Sequence, residues 1–269
     1  MGKIGKTLKK LFGEKFFYLL KSIQIKYFRT EQDIFDLKQA QLNVINRKNL
    51  YSGLVKHGEL CFDVGANVGN RVKPLVQIGA KVVAIEPQQN CYEVLEQNFG
   101  SSILIVKKGL SDRIGKRKFY LSKDTTLSSF SEEWIDIVRR SRFKSSKWNK
   151  VIEVEMTTLD HLIGEYGIPV FIKIDVEGYE LEVLKGLSYP VKYLSFEYTV
   201  PEFLPNALNC IDYYNSLTPE LECNYSIGET MKFYFVDWLS VNNMKEHMQS
   251  KLFKDSYFGD IYLRTVSLL

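Results

Sequence analysis

Short apolar segments alternate with longer segments of helical periodicity over most of the chain from Leu60 onward. The first apolar segment ends in Asp63 and is followed at once by two glycines. Segments of this length, bounded by turn residues, are typical of buried strands. The alternation of strands and helices predicts a Rossmann-like, doubly wound and mostly parallel sheet. The further predicted strands are 81–85, 103–106, 170–174 and 193–196.

The first 29 residues follow a different pattern, in which apolar side chains recur at spacings of three and four along one stripe of a helix. This segment has eight lysines and arginines and one glutamate, so its charge is +7 and the remaining 240 residues sum to −3. A second helix is predicted over residues 31–49. We therefore divide the chain into a helical extension, 1–50, and a domain, 51–269.

Two interpretations of the basic helix stay open. A basic amphipathic helix binds the surface of an anionic membrane, where each lysine or arginine contributes on the order of 1 kcal/mol. The same stripe also packs against a domain, with the lysines in solvent. The first interpretation predicts a peripheral contact with the inner face of the membrane.

Composition narrows the class of protein. A chain of 269 residues with 45% hydrophobic and 25% charged residues is typical of a globular protein. No apolar run approaches the roughly 20 residues that span a bilayer, and lysines interrupt the N-terminal apolar positions, unlike those of a signal peptide. The four cysteines and three histidines show no disulfide or zinc spacing. We therefore expect a cytoplasmic protein.

The turn after the first strand carries Gly65 and Gly69 behind Asp63. Nucleotide-like ligands approach the backbone at such a turn, because glycine has no side chain to block them. The dinucleotide fingerprint has its middle glycine where this chain has Asn67, and Asp63 would repel a pyrophosphate. S-adenosylmethionine has no phosphate and carries two cationic groups, so the turn favours this methyl donor over NAD. An ordinary tight turn is the alternative.

Each of the five predicted strands ends at or near a carboxylate. The carboxyl ends of parallel strands share one edge of the sheet, and ligands bind outside that edge. Acids gathered at this edge repel one another, and a bound cationic ligand, ribose or metal would reduce the energetic cost of this repulsion. Each acid taken alone is also typical of a solvated loop. The acids are Asp63, Glu86, Asp112, Asp175 with Glu177, and Glu197.

The order of the strands assigns roles to these acids. Glu86 lies 21 residues past Gly65, where an acid can accept both hydroxyls of a ribose. Asp112 or Ser111 would then face the adenine. Asp175 and Glu177 would face the open side of the pocket, where a substrate meets the methyl group.

Five segments together resemble the successive motifs of the FkbM-type methyltransferases, between about Glu59 and Glu197. They are Phe62 to Asn70, Ala84 to Pro87, the Leu-Ser-Ser-Phe130 segment, Thr158 to Asp160 and Phe171 to Glu180. The resemblance implies a seven-stranded sheet whose last two strands form an antiparallel hairpin, for which 231–236 and 260–264 are our candidates. It implies that Asp63, Gly65, Asn67, Glu86 and Asp112 bind the cofactor. The full set of predicted cofactor-binding residues is Asp63, Gly65, Asn67, Gly69, Glu86, Pro87, Ser111 and Asp112.

The catalytic residues follow less directly from the resemblance. Related oxygen methyltransferases hold a divalent metal with acids at the positions of Asp175 and Glu197, but Tyr198 stands here in place of an amide partner. Their lysine base corresponds to Gly178. A metal therefore stays an open alternative, with Asp175 and Glu197 as candidate ligands. Without a metal, Glu177 or Asp175 would act as the general base. The predicted catalytic residues are Asp175, Glu177 and Glu197.

A basic segment, residues 139–150, lies between the third and fourth predicted strands and carries six basic residues and no acid. Such an insert either closes over the sheet edge and selects an anionic substrate, or is a solvated loop. Nucleic acid is a weaker expectation, because the domain is net acidic and lacks a recognition motif.

The sequence thus predicts an S-adenosylmethionine-dependent methyltransferase. Its expected partner is a small-molecule or glycan acceptor, methylated on an oxygen of a sugar-containing or lipid-linked bacterial molecule. If the basic segment closes over the sheet edge, an anionic acceptor is expected. Two alternatives from other classes remain. One is an NAD-dependent oxidoreductase, and the other is a non-catalytic, membrane-associated scaffold with the same fold.

Overall fold

The computed structural model describes the backbone of residues 31–269 and the side chains of residues 41–269. The basic helix predicted over residues 1–29 lies outside the described residues. Residues Val44–Leu269 form one compact unit. The first described helix, α1 (Glu31–Ser52), runs through the boundary predicted at residues 50 and 51, which stays a prediction. Within residues 31–269 no helix is long and apolar enough to cross a membrane.

Strands and helices alternate along most of the domain. The strands are β1 (Leu60–Val64), β2 (Lys81–Ile85), β3 (Leu104–Val106), β4 (Gly109–Leu110), β5 (Gly115–Leu121), β6 (Lys150–Thr157), β7 (Phe171–Ile174), β8 (Tyr193–Thr199), β9 (Leu221–Ile227), β10 (Leu239–Ser240) and β11 (Phe258–Thr265). The helices after α1 are α2 (Val72–Ile78), α3 (Gln89–Phe99), α4 (Glu132–Val138), α5 (Leu159–Tyr166), α6 (Glu180–Leu184), α7 (Leu204–Leu217), α8 (Val241–Gln249) and α9 (Lys251–Lys254).

Eight of these strands form the central sheet, in the order β10-β9-β11-β8-β7-β1-β2-β3. Strands β1, β2, β3, β7 and β8 are parallel, whereas β11 runs antiparallel between β8 and β9. The predicted doubly wound, mostly parallel sheet is therefore confirmed. The sheet has one strand more than the seven predicted, because the two-residue strand β10 pairs with β9 at the edge.

The core lies on both faces of this sheet. Along β1, Phe62 and Val64 pack into one cluster, while Cys61 packs on the opposite face with Tyr51 and Phe171. This period of two places successive side chains on opposite faces. Burial of each large apolar side chain stabilises the fold by roughly 1.5–3 kcal/mol. The strand ends that carry the predicted acids are thus held by a rigid, buried sheet.

The prediction of a first hairpin strand at residues 231–236 is wrong. The strand that pairs with β11 is Leu221–Ile227, and the predicted segment 231–236 is an irregular loop after it. Met231 has a positive φ of 51°, which interrupts an extended chain. The true strand escaped prediction because its polar residues Asn224 and Ser226 are buried in the sheet rather than exposed. The partner predicted at 260–264 lies inside β11.

A second, three-stranded sheet in the order β4-β6-β5 was not predicted. Strands β5 and β6 are antiparallel, and their apolar side chains Phe119, Val154 and Met156 join the core on one face of the central sheet. Most other positions in these strands are polar, so the sequence signal of strands is weak. This small sheet is inserted between the parallel strands β3 and β7.

The basic segment 139–150 packs on the domain through two side chains. The Arg142 guanidinium donates to the backbone oxygen of Val200 at 2.8 Å and pairs with Glu202 at 2.5 Å. Trp148 donates from its indole nitrogen to the backbone oxygen of Leu127 at 2.6 Å. The lysines of the segment are exposed. The segment is therefore not an entirely solvated loop, and none of its residues lines the cavity at the parallel-strand edge.

Candidate cofactor and active site

A cavity lies beyond the carboxyl ends of strands β1, β2, β7 and β8 of the central sheet. The turn after β1 forms its floor, and the segment after β2 forms one end. The segments that follow β7, together with a residue of β8, form the other end. Because the sheet order is β8-β7-β1-β2, these two ends are separated by three strand spacings, or about 14 Å. Seven predicted site residues line this cavity at those positions: Gly65, Asn67, Glu86, Pro87, Asp175, Glu177 and Glu197.

The turn after β1 is shaped by close contact with the end of β7. Gly65 has a positive φ of 80°, and a Cβ on it would lie 1.8 Å from the backbone oxygen of Asp175. Asn67 also has a positive φ, 47°, and its backbone N–H donates to Glu86 at 2.8 Å. The Asn67 side chain lies near the Thr125 hydroxyl at 3.4 Å. A glycine is therefore required at position 65, and the turn brings backbone to the floor of the cavity.

Glu86 lies at the end of β2 and is almost fully buried, although it lines the cavity together with Pro87. One carboxylate oxygen accepts from the Asn67 backbone and the other from the Gln88 backbone at 2.7 Å. Burial raises the pKa of Glu86 to about 7, and the two backbone donors partly oppose that shift. Two fixed oxygens with free lone pairs remain available to hydroxyl groups in the cavity.

Two predicted residues lie behind the cavity wall. Asp63 is buried, and neither of its carboxylate oxygens accepts a hydrogen bond from the part of the chain that the structure describes. Burial raises its pKa to about 7, against the influence of Arg71 and Lys173. A Cβ on Gly69 would lie 2.4 Å from the ring of Phe99. Neither Asp63 nor Gly69 lines the cavity, so Gly69 serves the packing of α3 on the turn.

Ser111 and Asp112 also do not line the cavity. The Ser111 hydroxyl donates to Asp112 at 2.8 Å and receives a hydrogen bond from Arg117 at 3.1 Å. Arg117 also pairs with Asp112 at 3.0 Å. Both side chains are engaged by β5, a strand that the sequence analysis missed, and their predicted contact with adenine stays a prediction.

Three apolar residues of the same region line the cavity instead. Leu110 lines it directly before Ser111, and Phe119 and Phe130 line it with ring centroids 4.3 Å apart. Phe130 belongs to a segment that carried the family resemblance, but the sequence assigned it no role. Phe119 lies on β5, and as an isolated aromatic residue in the sequence it did not indicate a position in the site.

Three acids meet at the opposite end of the cavity. Carboxylate oxygens of Asp175, Glu177 and Glu197 lie within 4.8 Å of one another, as the order of strand ends led us to expect. Burial alone would raise the pKa of Asp175, but Lys173 and Arg71 lower it below its usual range. The pKa values of Glu177 and Glu197 are raised well above their usual range, first by burial and then by the Asp175 charge.

The backbone of Glu177 is held in an unusual conformation. Its φ is +54°, which costs a residue with a Cβ on the order of 1–2 kcal/mol. The Ser129 hydroxyl donates to the backbone oxygen of Glu177 at 2.7 Å. The next residue, Gly178, lies against Trp134, where a Cβ would come within 2.3 Å of the indole. These contacts fix the direction in which Glu177 presents its carboxyl group.

Buried cations balance part of this negative charge, and the sequence analysis missed them. The Lys173 ammonium lies 3.5 Å from Asp175 and 2.7 Å from Asp260. The Arg71 guanidinium lines the cavity and lies 3.3 Å from Asp175. Lys173 falls within the quoted Phe171 to Glu180 segment, where a lysine inside an apolar strand is a detectable signal of a buried partner.

Comparison with known proteins identifies the family. In open, mostly parallel sheets, ligands bind outside the carboxyl ends of the strands, which is where this cavity lies. The Methyltransferase FkbM domain matches residues 63–243, which is more than half of the chain. The chain therefore belongs to the FkbM methyltransferase family. The methyl-donor interpretation of the turn is thereby favoured over the NAD alternative.

Two curated proteins are similar to this chain. It is 23% identical to the hexuronic acid methyltransferase AglP of Haloferax volcanii, over 64% of this chain and 63% of that protein. It is 29% identical to the methyltransferase sdnD of Sordaria araneosa, over 47% of this chain and 59% of that protein. The chain thus spans about three fifths of the length of these relatives.

Among solved structures, the precorrin-6y C5,15-methyltransferase of Geobacter metallireducens matches 81% of this chain and 86% of its own, at 8% identity and a TM-score of 0.42. The TehB-like methyltransferase of Corynebacterium glutamicum covers 82% and 87%, at 11% identity and a TM-score of 0.41.

Proposed function

We propose that this methyltransferase transfers a methyl group to an oxygen atom of a sugar-containing acceptor. The observation that carries the proposal is the group of three acids, Asp175, Glu177 and Glu197, at the end of the cavity far from Glu86. Glu177 and Glu197 have raised pKa values, and an acid of this kind in a cavity is suited to accept the proton of a hydroxyl group once it is ionised.

The cavity residues fit S-adenosylmethionine. Glu86 offers two oriented oxygens at one end, suited to ribose hydroxyls. Leu110, Phe119 and Phe130 offer apolar surface for an adenine next to them. Bound there, the cofactor supplies an electrophilic methyl group on a cationic sulfonium, which the acids at the other end attract. We place the predicted adenine contact at this apolar wall rather than at Ser111 and Asp112.

Glu177 is our candidate for the general base. Its fixed backbone presents the carboxyl group beside Glu197, and burial raises its pKa above its usual range. A positive charge in the cavity would lower that pKa and favour the carboxylate, which then accepts the acceptor's proton. Asp175, paired with Lys173 and Arg71, stays ionised and positions the cluster.

The three acids also offer ligand atoms for a divalent metal. Asp175, Glu177 and Glu197 would hold the ion, which would lower the pKa of the acceptor hydroxyl. Asp175 already has two cationic partners within 3.5 Å, so the net demand for a further cation is small. We therefore favour a metal-independent reaction. Dialysis against a chelator should leave turnover unchanged, and recovery of lost turnover only by added metal would reverse this choice.

The acceptor class follows from two supports. AglP, a relative of this chain, is a hexuronic acid methyltransferase, and Arg71 places a cation in the cavity. We propose a sugar acid or a neighbouring sugar as the acceptor, in a soluble or lipid-linked molecule. For the lipid-linked form, residues 1–29 would supply contact with an anionic membrane.

Deleting residues 1–29 should reduce sedimentation with anionic liposomes and leave cofactor affinity intact.

The experiment that tests the proposal has two stages. Calorimetry should detect binding of S-adenosylhomocysteine and none of NAD. A panel of uronic acids, neutral sugars and catechols is then incubated with labelled methyl donor. Labelled methyl groups attached to oxygen atoms of a sugar would support the proposal. Label on carbon or nitrogen, or binding of neither nucleotide as the scaffold alternative requires, would refute it.

A further inference from the structure

Two arginines converge on one glutamate at the rim of the cavity. The Arg47 guanidinium, on α1, lies 2.5 Å from one carboxylate oxygen of Glu229. The Arg71 guanidinium, directly before α2, lies 3.4 Å from the other oxygen. Glu229 itself is carried by the loop between β9 and β10 and lines the cavity. Three separate elements thus meet in a single ion cluster.

The members of this cluster differ in burial. The side chains of Arg47 and Arg71 are 8% and 14% exposed, whereas that of Glu229 is 39% exposed. Each arginine reaches Glu229 through its Nη2 atom, and the Nε–H of each has no hydrogen-bond partner among residues 41–269. The arginines are therefore fixed and incompletely satisfied, and the glutamate is the accessible partner.

Two neighbouring buried guanidinium groups are costly without an anion, and planar carboxylates match their geometry. Glu229 is the anion that both arginines share, and Asp175 is a second anion for Arg71 at 3.3 Å. A carboxylate of a bound ligand would repel Glu229 if both occupied the rim, so the two compete for the same cations. A ligand that reached Arg71 would displace Glu229 toward solvent.

We propose that Arg47 and Arg71 form a binding site for the carboxylate of a ligand, and that Glu229 occupies this site until the ligand displaces it. The carboxylate belongs either to the methionine end of the cofactor or to a sugar-acid acceptor. The second source rests on the proposed function, whereas the first requires only that the family's cofactor binds.

The test is calorimetry on Glu229→Gln, which removes the competing charge at a partly exposed position. S-adenosylhomocysteine carries the carboxylate, and 5′-methylthioadenosine lacks the whole amino-acid end. If the cofactor is the source, the variant should bind S-adenosylhomocysteine roughly fivefold more tightly, the size of one partly exposed ion pair. Its affinity for 5′-methylthioadenosine should not change.

If the acceptor is the source, both nucleotides should bind as in the parent protein. Glucuronate, titrated into protein saturated with S-adenosylhomocysteine, should then bind roughly fivefold more tightly to the variant, and glucose should not. Either result supports the proposal without any measurement of turnover. The binding experiment therefore gives the same answer whether or not the oxygen-methylation proposal is correct.

Glu222→Gln is the matched control. Glu222 is 33% exposed and pairs with Arg264 at 2.6 Å on the strand that precedes the Glu229 loop, but it does not line the cavity. This control should leave all four affinities unchanged. Unchanged or weaker binding of both carboxylate ligands by Glu229→Gln would overturn the proposal, and weaker S-adenosylhomocysteine binding would assign Glu229 to the cofactor's ammonium group.

Discussion

The two ends of the cavity use the same kind of side chain in different ways. Glu86 stands alone at the β2 end, where two backbone N–H groups fix both of its oxygens. At the β7 and β8 end, Glu177 and Glu197 lie beside Asp175, and other acids rather than backbone donors surround them. Burial raises the pKa of the glutamates at both ends. Repulsion by other acids comes directly after burial for Glu177, whereas for Glu86 the backbone donors come next and the repulsion by Asp63 is the smallest contribution.

This difference separates binding from proton transfer. A carboxyl group whose oxygens are fixed by backbone donors is suited to hold neutral hydroxyls in one orientation. A carboxyl group crowded by other acids gains or loses a proton readily when a charge enters the site. We therefore expect substitutions at the two ends to affect different measurements.

The largest expected effect is on turnover of Glu177→Gln. Loss of the general base should slow methyl transfer to a hydroxyl acceptor by about 10²- to 10⁴-fold. Transfer to a carboxylate acceptor needs no base and should be nearly unchanged. Because the pKa of Glu177 is raised, the rate of the parent protein with a hydroxyl acceptor should rise with pH as the group ionises, and the variant should lose that rise.

Initial rates with labelled methyl donor measure this effect. Affinity for S-adenosylhomocysteine should stay within about threefold in Glu177→Gln, since binding relies on the opposite end. Glu182→Gln, a partly exposed residue of α6 paired with Lys185 outside the cavity, is the control. Normal turnover of Glu177→Gln with a hydroxyl acceptor would remove Glu177 from the catalytic residues.

The second effect is on stability and tests what supports the acidic end. Lys173 is fully buried between Asp175 and Asp260. Burial alone would lower its pKa, but those two carboxylates raise it above its usual value. Lys173→Met leaves both acids without this partner, so the free energy of unfolding should fall by about 3–5 kcal/mol.

Urea denaturation gives that free energy. The control is Lys245→Met, which breaks the exposed pair of Lys245 with Asp212 at 2.6 Å and should cost less than about 1 kcal/mol. Equal losses for the two lysines would show that the buried ion cluster does not support this end of the cavity.

The parts of the site that the sequence predicted are those at or near strand ends. Asp175, Glu177 and Glu197 were placed together because parallel strands bring their carboxyl ends to one edge, and this depends only on strand order. Glu86 was placed for the same reason. The contacts of Ser111 and Asp112 were not predicted, because strand β5, which engages both through Arg117, has the polar pattern of an exposed segment.

The cations of the site were missed for a different physical reason. Arg47, Arg71 and Glu229 lie far apart in the chain, and no local pattern connects them. Pairing between distant side chains depends on the packing of α1 and the β9–β10 loop against the turn. Lys173 alone had a local signal, because a lysine between buried isoleucines requires a partner.

The third effect is on cofactor affinity. Glu86→Gln keeps one acceptor oxygen but replaces the other with a donor, which conflicts with a backbone N–H of Asn67 or Gln88. S-adenosylhomocysteine should bind about 10- to 100-fold more weakly, the cost of losing a hydrogen bond to a charged group. Calorimetry measures this, with Glu93→Gln on the exposed face of α3 as control. Unchanged affinity would refute the ribose role.

The smallest effect is the pH dependence of stability that Glu86 causes. Its folded pKa of about 7 lies above the usual value, so the folded state holds a proton that the unfolded state has already lost between about pH 5 and 7. The stabilisation that Glu86 contributes is therefore greatest at low pH and is lost as pH rises through 7.

The Glu86→Gln variant cannot ionise at this position, so its stability does not show this loss. Between pH 5 and 8, its unfolding free energy in urea should improve relative to the parent protein by on the order of 2 kcal/mol. If the difference in unfolding free energy between variant and parent stayed constant across that range, the pKa of Glu86 would lie near its ordinary value. The backbone donors would then offset the effect of burial on this carboxyl group.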